Sequence, residues 1–190
     1  MISEYDLMEL VLGDPEALAQ HWNDDRWRVR YAAAVAMGET GDPRWLPELH
    51  RLLVIEDGRD LYSQPRVMGF VGSFDDTRMA EQLIRTEAIF DREYSPEALD
   101  AWACRGRVKQ ACLLAVHTIG EVSDDLLVSI YRALEDPDED FVVKTAAAKA
   151  LARVGDRESI PYLTRAVALD EWCLRVEATK ALRALGEDVA

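Results

Sequence analysis

Four glycines share one upstream pattern, and that pattern constrains the fold more than any other feature of the chain. They are Gly41, Gly120, Gly155 and Gly186. Twelve residues before each stands Val29, Val108, Val143 or Leu174, and eleven before stands Arg30, Lys109, Lys144 or Arg175. Eight before stand Ala33, Cys112, Ala147 and Ala178; five before, Ala36, Ala115, Ala150 and Ala181; four before, Met37, Val116, Leu151 and Leu182. The offsets 12, 8, 5, 4 and 1 follow the helical period, so each block predicts an amphipathic helix with a buried stripe. The small residues at offsets 8 and 5 allow another helix to approach closely. Each glycine suits a helix C′ position, where the backbone turns left-handed. After Gly41 and Gly155 come Asp42-Pro43 and Asp156-Arg157, then Leu46-Pro47 and Ile160-Pro161, which read as the start of a next helix. The unit is helix, glycine turn, helix.

A weaker copy stands at Gly72, followed by Ser73-Phe74-Asp75-Asp76. The glycine spacings are then 31, 48, 35 and 31 residues. Self-similarity at such periods marks a stacked array of helical pairs.

The stretches Val29-Arg30-Tyr31-Ala32-Ala33-Ala34-Val35-Ala36-Met37-Gly38, Val143-Lys144-Thr145-Ala146-Ala147-Ala148-Lys149-Ala150-Leu151 and Leu174-Arg175-Val176-Glu177-Ala178-Thr179-Lys180-Ala181-Leu182 carry a family resemblance. The sequence resembles HEAT-repeat proteins of the bacterial phycobilisome-lyase-like type. The resemblance implies an all-α fold, a right-handed α–α superhelix built as a short solenoid of about five helical pairs. It spans residues 1–190 as a single repeat domain, irregular around 55–105. It also implies a ladder between neighbouring repeats, with the cations Arg30, Lys109, Lys144 and Arg175 and the acids after the glycines, Asp42, Glu121, Asp156 and Glu187. Fold alone is nearly silent on role.

The recurring stripe predicts its complement. Offsets 10, 7, 6 and 3 are expected to point away from the helix partner, on the face that second helices of such solenoids turn to the concave side. The candidate partner-binding residues on it are Tyr31, Val35, Gln110, Leu113, Leu114, His117, Lys149, Lys180 and Arg183. This face is apolar and aromatic at the N-terminal end and basic at the C-terminal end. It reads either as a solvated helix face or as a partner groove. Trp27, Phe141 and Trp172, each fourteen residues before its glycine, read as packing residues at helix starts because they recur in register.

The middle breaks the pattern. Pro65 falls where a helix interior belongs, so a helix there is expected to start late. Residues 86–105 hold extra sequence in which Ser95-Pro96-Glu97 reads as a helix start, leading into a segment with Trp102. This insertion is either functional or tolerated drift.

Charge and missing motifs limit the chemistry. The chain has 36 Asp+Glu against 22 Lys+Arg, a formal net charge of −14. That argues against nucleic acid and anionic membranes as partners, since both attract cationic surfaces. No apolar run is long enough for a membrane span, and the first residues do not read as a signal peptide. Three scattered cysteines, Cys104, Cys112 and Cys173, favour neither a disulfide framework nor a zinc site and point to a cytoplasmic setting. Cys112 occupies an alanine position of the repeat and reads as a small buried hydrophobe. His21, His50 and His117 are not followed by Glu, so the paired ligands of iron-binding HEAT-like enzymes are absent. The acidic run Asp136-Pro137-Asp138-Glu139-Asp140 reads as a helix N-cap rather than a calcium loop.

The reading that follows is a non-catalytic protein-binding module, an adaptor, scaffold or inhibitor, without cofactor or metal, whose partner carries a basic patch. Two alternatives are a chromophore-handling protein akin to bilin lyases, by resemblance alone, and a structural subunit capable of self-association. For the chromophore reading Tyr31, Trp102 and Arg107 are the imaginable wall and propionate residues.

Overall fold

The computed structural model describes residues 2–58 and 106–189. The Gly72 copy, Pro65, Ser95-Pro96-Glu97, Trp102 and Cys104 lie outside the described residues.

The described residues form nine α-helices and no strand. They are α1 (Glu4–Gly13), α2 (Pro15–His21), α3 (Trp27–Thr40), α4 (Leu46–Gly58), α5 (Arg107–Ile119), α6 (Asp124–Glu135), α7 (Phe141–Val154), α8 (Ile160–Val167) and α9 (Trp172–Ala184). Short 3-10 turns at Pro43–Trp45 and Arg157–Ser159 lead into α4 and α8. None of these helices is long and apolar enough to cross a membrane.

Local chemistry sets the boundaries. Ser3, Asp14, Ser123 and Asp140 each accept a backbone N–H at the start of α1, α2, α6 and α7. Each such cap satisfies one of the N–H groups that a helix start leaves without a partner. Asp42 and Asp156 cap the two 3-10 turns, accepting from the N–H of Arg44 and Glu158. Gly41, Gly120, Gly155 and Gly186 have φ between 63° and 88°, a region that a Cβ disfavours.

The helices form two rows. One row is α1, α3, α5, α7 and α9, each packed on the next. The other is α4, α6 and α8, with α2 packed beside α1 and α3. Successive members pair as α4 with α5, α6 with α7 and α8 with α9. This is the stacked architecture of a HEAT-like solenoid, with α3 directly against α5.

The buried stripe is where the repeat predicts it at offsets 12, 8, 5 and 4, while at offset 1 Thr40 is exposed and Ile119 and Val154 are half-buried. Val29, Ala33 and Met37, Val108, Cys112 and Val116, Val143, Ala147 and Leu151, and Leu174 and Ala178 are wholly shielded from solvent. They meet Leu49, Leu52, Leu126, Ile130 and Leu163 of the other row in one continuous core. Burying each such aliphatic side chain contributes about 1.5–3 kcal/mol. In the second row Tyr131 stacks on Tyr162 with ring centroids 4.2 Å apart. The Tyr131 hydroxyl donates to the Asp156 carboxylate. Burial, then that carboxylate, pushes the phenol well above its ordinary pKa.

Two expectations need correction. The first concerns offset 7. Ala34, Leu113 and Ala148 are fully buried rather than turned outward. A helix inside the row is covered twice, by its pair partner and by the next helix of the row, and offset 7 faces the latter. Leu113 therefore belongs to the core and is not available to a partner.

The second concerns the ladder. Arg30 is wholly buried, and its Nε donates to Glu56 Oε1 at 2.7 Å. Its Nη1 donates to the carbonyls of Asp24 and Asp25, each at 2.8 Å. Lys109 pairs with buried Glu139. The acids thus come from the end of α4 and from the turn before α7, not from the positions after the glycines. Asp42 and Asp156 are occupied as caps, and Glu187 stands 3.6 Å from Arg157. The cation of one layer is neutralised by the connection that leads into the next helix of the row.

Candidate functional site

The double coverage of each inner row helix leaves one strip of it uncovered. Offset 11 points forward to the next layer, through the buried pairs of Arg30 and Lys109. Offset 3 also points forward. His117 Nδ1 donates to the Lys149 carbonyl on α7 at 3.0 Å, which fixes the Nδ1–H tautomer or the cation because a carbonyl only accepts. Offsets 12, 8, 5 and 4 hold the core. What remains is offsets 10, 6 and 2, a stripe at four-residue spacing along one side of the helix.

Between α3 and α5 that stripe borders an open groove of about 220 Å³. Tyr31, Val35 and Glu39 form one wall and Gln110, Leu114 and Thr118 the other. The floor is a close approach of α3 to α5 at Gly38 and Ala115. A Cβ built on Gly38 would stand 2.8 Å from the Ala115 Cα and 2.9 Å from its Cβ. Only glycine lets the two backbones meet there, and the larger residues on either side then stand apart as walls. The walls are mostly apolar. Leu114 is 37% exposed and Tyr31 36%, so both side chains are open to solvent.

Of the expected partner-binding residues, the structure brings Tyr31, Val35, Gln110 and Leu114 together along this groove. Lys149 is half-buried on α7, on the same stripe one layer further. Lys180 lies on the stripe at α9, exposed and paired with Glu177 at 2.8 Å. His117 is half-buried between α5 and α7, and Leu113 is core. Arg183 is exposed at the far end of the row and donates to the Val189 carbonyl at 3.3 Å. Glu39 and Thr118 were missed by the sequence reading. Extending the spacing of offsets 10 and 6 by four residues finds both.

The groove is lined by few titratable side chains. Its lining offers one carboxylate, Glu39, and one phenol, Tyr31, with no histidine, cysteine or lysine. General acid–base work needs a positioned donor and acceptor pair. The nearby thiol, Cys112, lies in the core, and burial pushes its pKa far up, with the Glu56 carboxylate adding to the shift. Arg107 is exposed at the start of α5 and outside the groove lining.

Two family models match the chain. HEAT repeats match residues 107–190, and the PBS lyase HEAT-like repeat matches residues 29–54. No curated protein matches it. Between them the two matches take in α3 to α9, including both walls of the groove. The chain belongs to the HEAT-repeat proteins, of the phycobilisome-lyase-like type.

Proposed function

We propose that this protein is a non-catalytic binding module that receives an apolar side chain of a partner protein in the α3/α5 groove. The carrying observation is the groove itself: a pocket with apolar walls over a glycine floor, on the one strip of the row that stacking leaves open. A concave site of this kind takes a single anchor residue, while the flanking surface supplies specificity.

The partner is basic around that anchor. Glu39 stands at the groove, and the chain carries −14 overall, so a cationic surface is steered toward it. The same stripe turns basic further along, at Lys149 and Arg153 of α7. A bound segment therefore has a direction, with its cation toward Glu39 and any acidic group toward α7. An adaptor, scaffold or inhibitor role is compatible with this arrangement.

The test compares the wild-type protein with Leu114→Glu as bait in native extract, at low and raised salt. Leu114 is exposed, so the variant is expected to fold normally, which circular dichroism checks. The reading expects a basic protein that the wild type retains, that Leu114→Glu loses, and that raised salt weakens. Equal recovery by both baits, or recovery of no protein, overturns it.

A further inference from the structure

The α3/α5 groove has a length, a polarity and unpaired polar groups on its walls. Helices α3 and α5 run the same way, since Arg30 and Lys109, each near its helix start, both bear on the Cys112 thiol. The wall residues therefore fall into three pairs along the groove: Tyr31 with Gln110, Val35 with Leu114, and Glu39 with Thr118. Successive pairs are four residues apart on both helices, a rise of about 6 Å, so first and last stand about 12 Å apart. Side chains two apart on an extended chain are about 6.7 Å apart and point to the same side. Five extended residues thus set three side chains on the three pairs.

The groove is electrically uneven along its length. Both helices end beside Glu39 and Thr118, at Thr40 and Ile119, so their C-terminal dipoles add negative potential there. Glu39 and Glu121 stand exposed at that end. Asp42 is paired with Arg44 at 3.0 Å, and Arg153 of α7 lies against the Gly120 turn. At the other end the two helix starts add positive potential. The acids Glu4 and Asp24 are engaged there, by Arg28 at 3.6 Å and Arg26 at 2.7 Å. The exposed residues Asp25 and Arg107 are opposite in sign. A cation on a bound segment therefore belongs at Glu39.

Spacing alone also fits a helix, whose side chains four apart stand about 6 Å apart. Two observations favour the extended chain. The α3 and α5 backbones meet at Gly38 and Ala115, so the space between the walls is small, about 220 Å³. A helix is about 10–12 Å across. The walls also carry polar groups that an open backbone can use. Among the described residues, the Tyr31 hydroxyl and the Gln110 amide make no hydrogen bond to another residue. The Thr118 hydroxyl donates to the Leu114 carbonyl at 3.0 Å and keeps its acceptor capacity. An extended chain brings N–H and C=O groups that need such partners, whereas a helix pairs its own.

We propose that the groove holds an extended segment of the partner protein, lying along α3 and α5. An apolar side chain of that segment sits over Val35 and Leu114, and a lysine or arginine two residues away meets Glu39. This rests on the reading of the groove as the partner's site and adds the conformation and register of what enters it.

The probes are acetylated, amidated pentapeptides added to the full chain at low salt, with the groove amides followed by NMR. Gln-Ala-Leu-Ala-Lys and its reverse, Lys-Ala-Leu-Ala-Gln, carry leucine and lysine on one side of an extended chain, one peptide for each direction. Gln-Ala-Ala-Leu-Lys has the same composition but puts the two on opposite sides. A helical, alanine-rich peptide with leucine and lysine four apart is the competitor. One of the first two peptides is expected to shift the amides of all three wall pairs. The rearranged peptide is expected to bind roughly tenfold more weakly, because its leucine or its lysine is left out of the groove. Glu39→Gln is expected to weaken the tighter peptide roughly threefold, the scale of an exposed ion pair. The helical peptide is expected to bind more weakly than the tighter pentapeptide. Equal binding of the three pentapeptides, no groove shift from any of them, or tighter binding of the helical peptide overturns the extended register. Whether the groove takes a partner at all is read separately, by the capture experiment with Leu114→Glu.

Discussion

Replacing Glu56 by alanine tests the buried ladder. The Arg30 side chain is wholly shielded and Glu56 is 1% exposed. Among the described residues the guanidinium has one anionic partner, Glu56 at 2.7 Å, besides the neutral carbonyls of Asp24 and Asp25. Among the described residues its Nη2 has no hydrogen-bond partner. Removing Glu56 leaves a full charge in the core, which costs about 3–5 kcal/mol. The exposed pair of Arg165 with Glu135 is the control, since both side chains are at least half exposed. Glu135→Ala is expected to cost under about 1 kcal/mol. In urea, with a slope near 3 kcal/mol/M for a chain of this size, Glu56→Ala lowers the midpoint by about 1–2 M. The physics also predicts a reversal of intuition. Arg30→Met combined with Glu56→Met removes both charges, and it is expected to be more stable than Glu56→Ala alone. A midpoint for Glu56→Ala equal to that of Glu135→Ala, or a double variant less stable than the single, refutes the reasoning.

Three further outcomes follow from the same structure. Gly38→Ala gains about 1 kcal/mol of helix propensity but meets the α5 backbone, at an overpacking cost of about 1–3 kcal/mol. A lowered melting temperature is therefore expected, and a raised one contradicts the close approach at Ala115. Asp24 is held down to about 2 by its hydrogen bonds to the Arg26 side chain, with desolvation opposing. Its folded pKa is depressed, so its contribution to stability is present above about pH 4 and is lost as pH falls toward about 2. NMR titration of the Asp24 carboxyl reads this, and a midpoint near 4 in the folded protein counts against it. The Cys112 thiol is expected to resist an alkylating reagent at pH 8 until urea unfolds the chain, as read by mass spectrometry. Prompt labelling of Cys112 in the native protein contradicts its burial.

The glycine-anchored offsets made the row helices legible. Each of α3, α5, α7 and α9 has core residues at offsets 12, 8, 5 and 4, and the Asp residues after Gly41 and Gly155 are helix-start caps. The strip available to a partner was less legible. Offsets 7 and 6 are adjacent in sequence but about 100° apart around the helix, and a helix covered on two sides hides the first while leaving the second open. Alanine at positions 34 and 148 is equally at home on either, so composition did not separate them. Leu113 was the one large apolar residue at offset 7, and it marked the second packing face. The ladder was misread for a different reason. The acid that meets Arg30 is 26 residues downstream and the one that meets Lys109 is 30 downstream. A partner at variable distance leaves no fixed offset to find. Helices α1 and α2 do not end on a glycine of the repeat, so the offsets did not mark them.

The most direct test of the groove is NMR mapping with the partner protein recovered by the capture experiment. The amides of Tyr31, Val35, Glu39, Gln110, Leu114 and Thr118 are followed as that partner is added at low salt. The account predicts that the largest shifts trace these residues, and that Leu114→Glu abolishes them while the fold is retained. Shifts confined to α4, α6 and α8, or binding unchanged by Leu114→Glu, would contradict a partner site between α3 and α5.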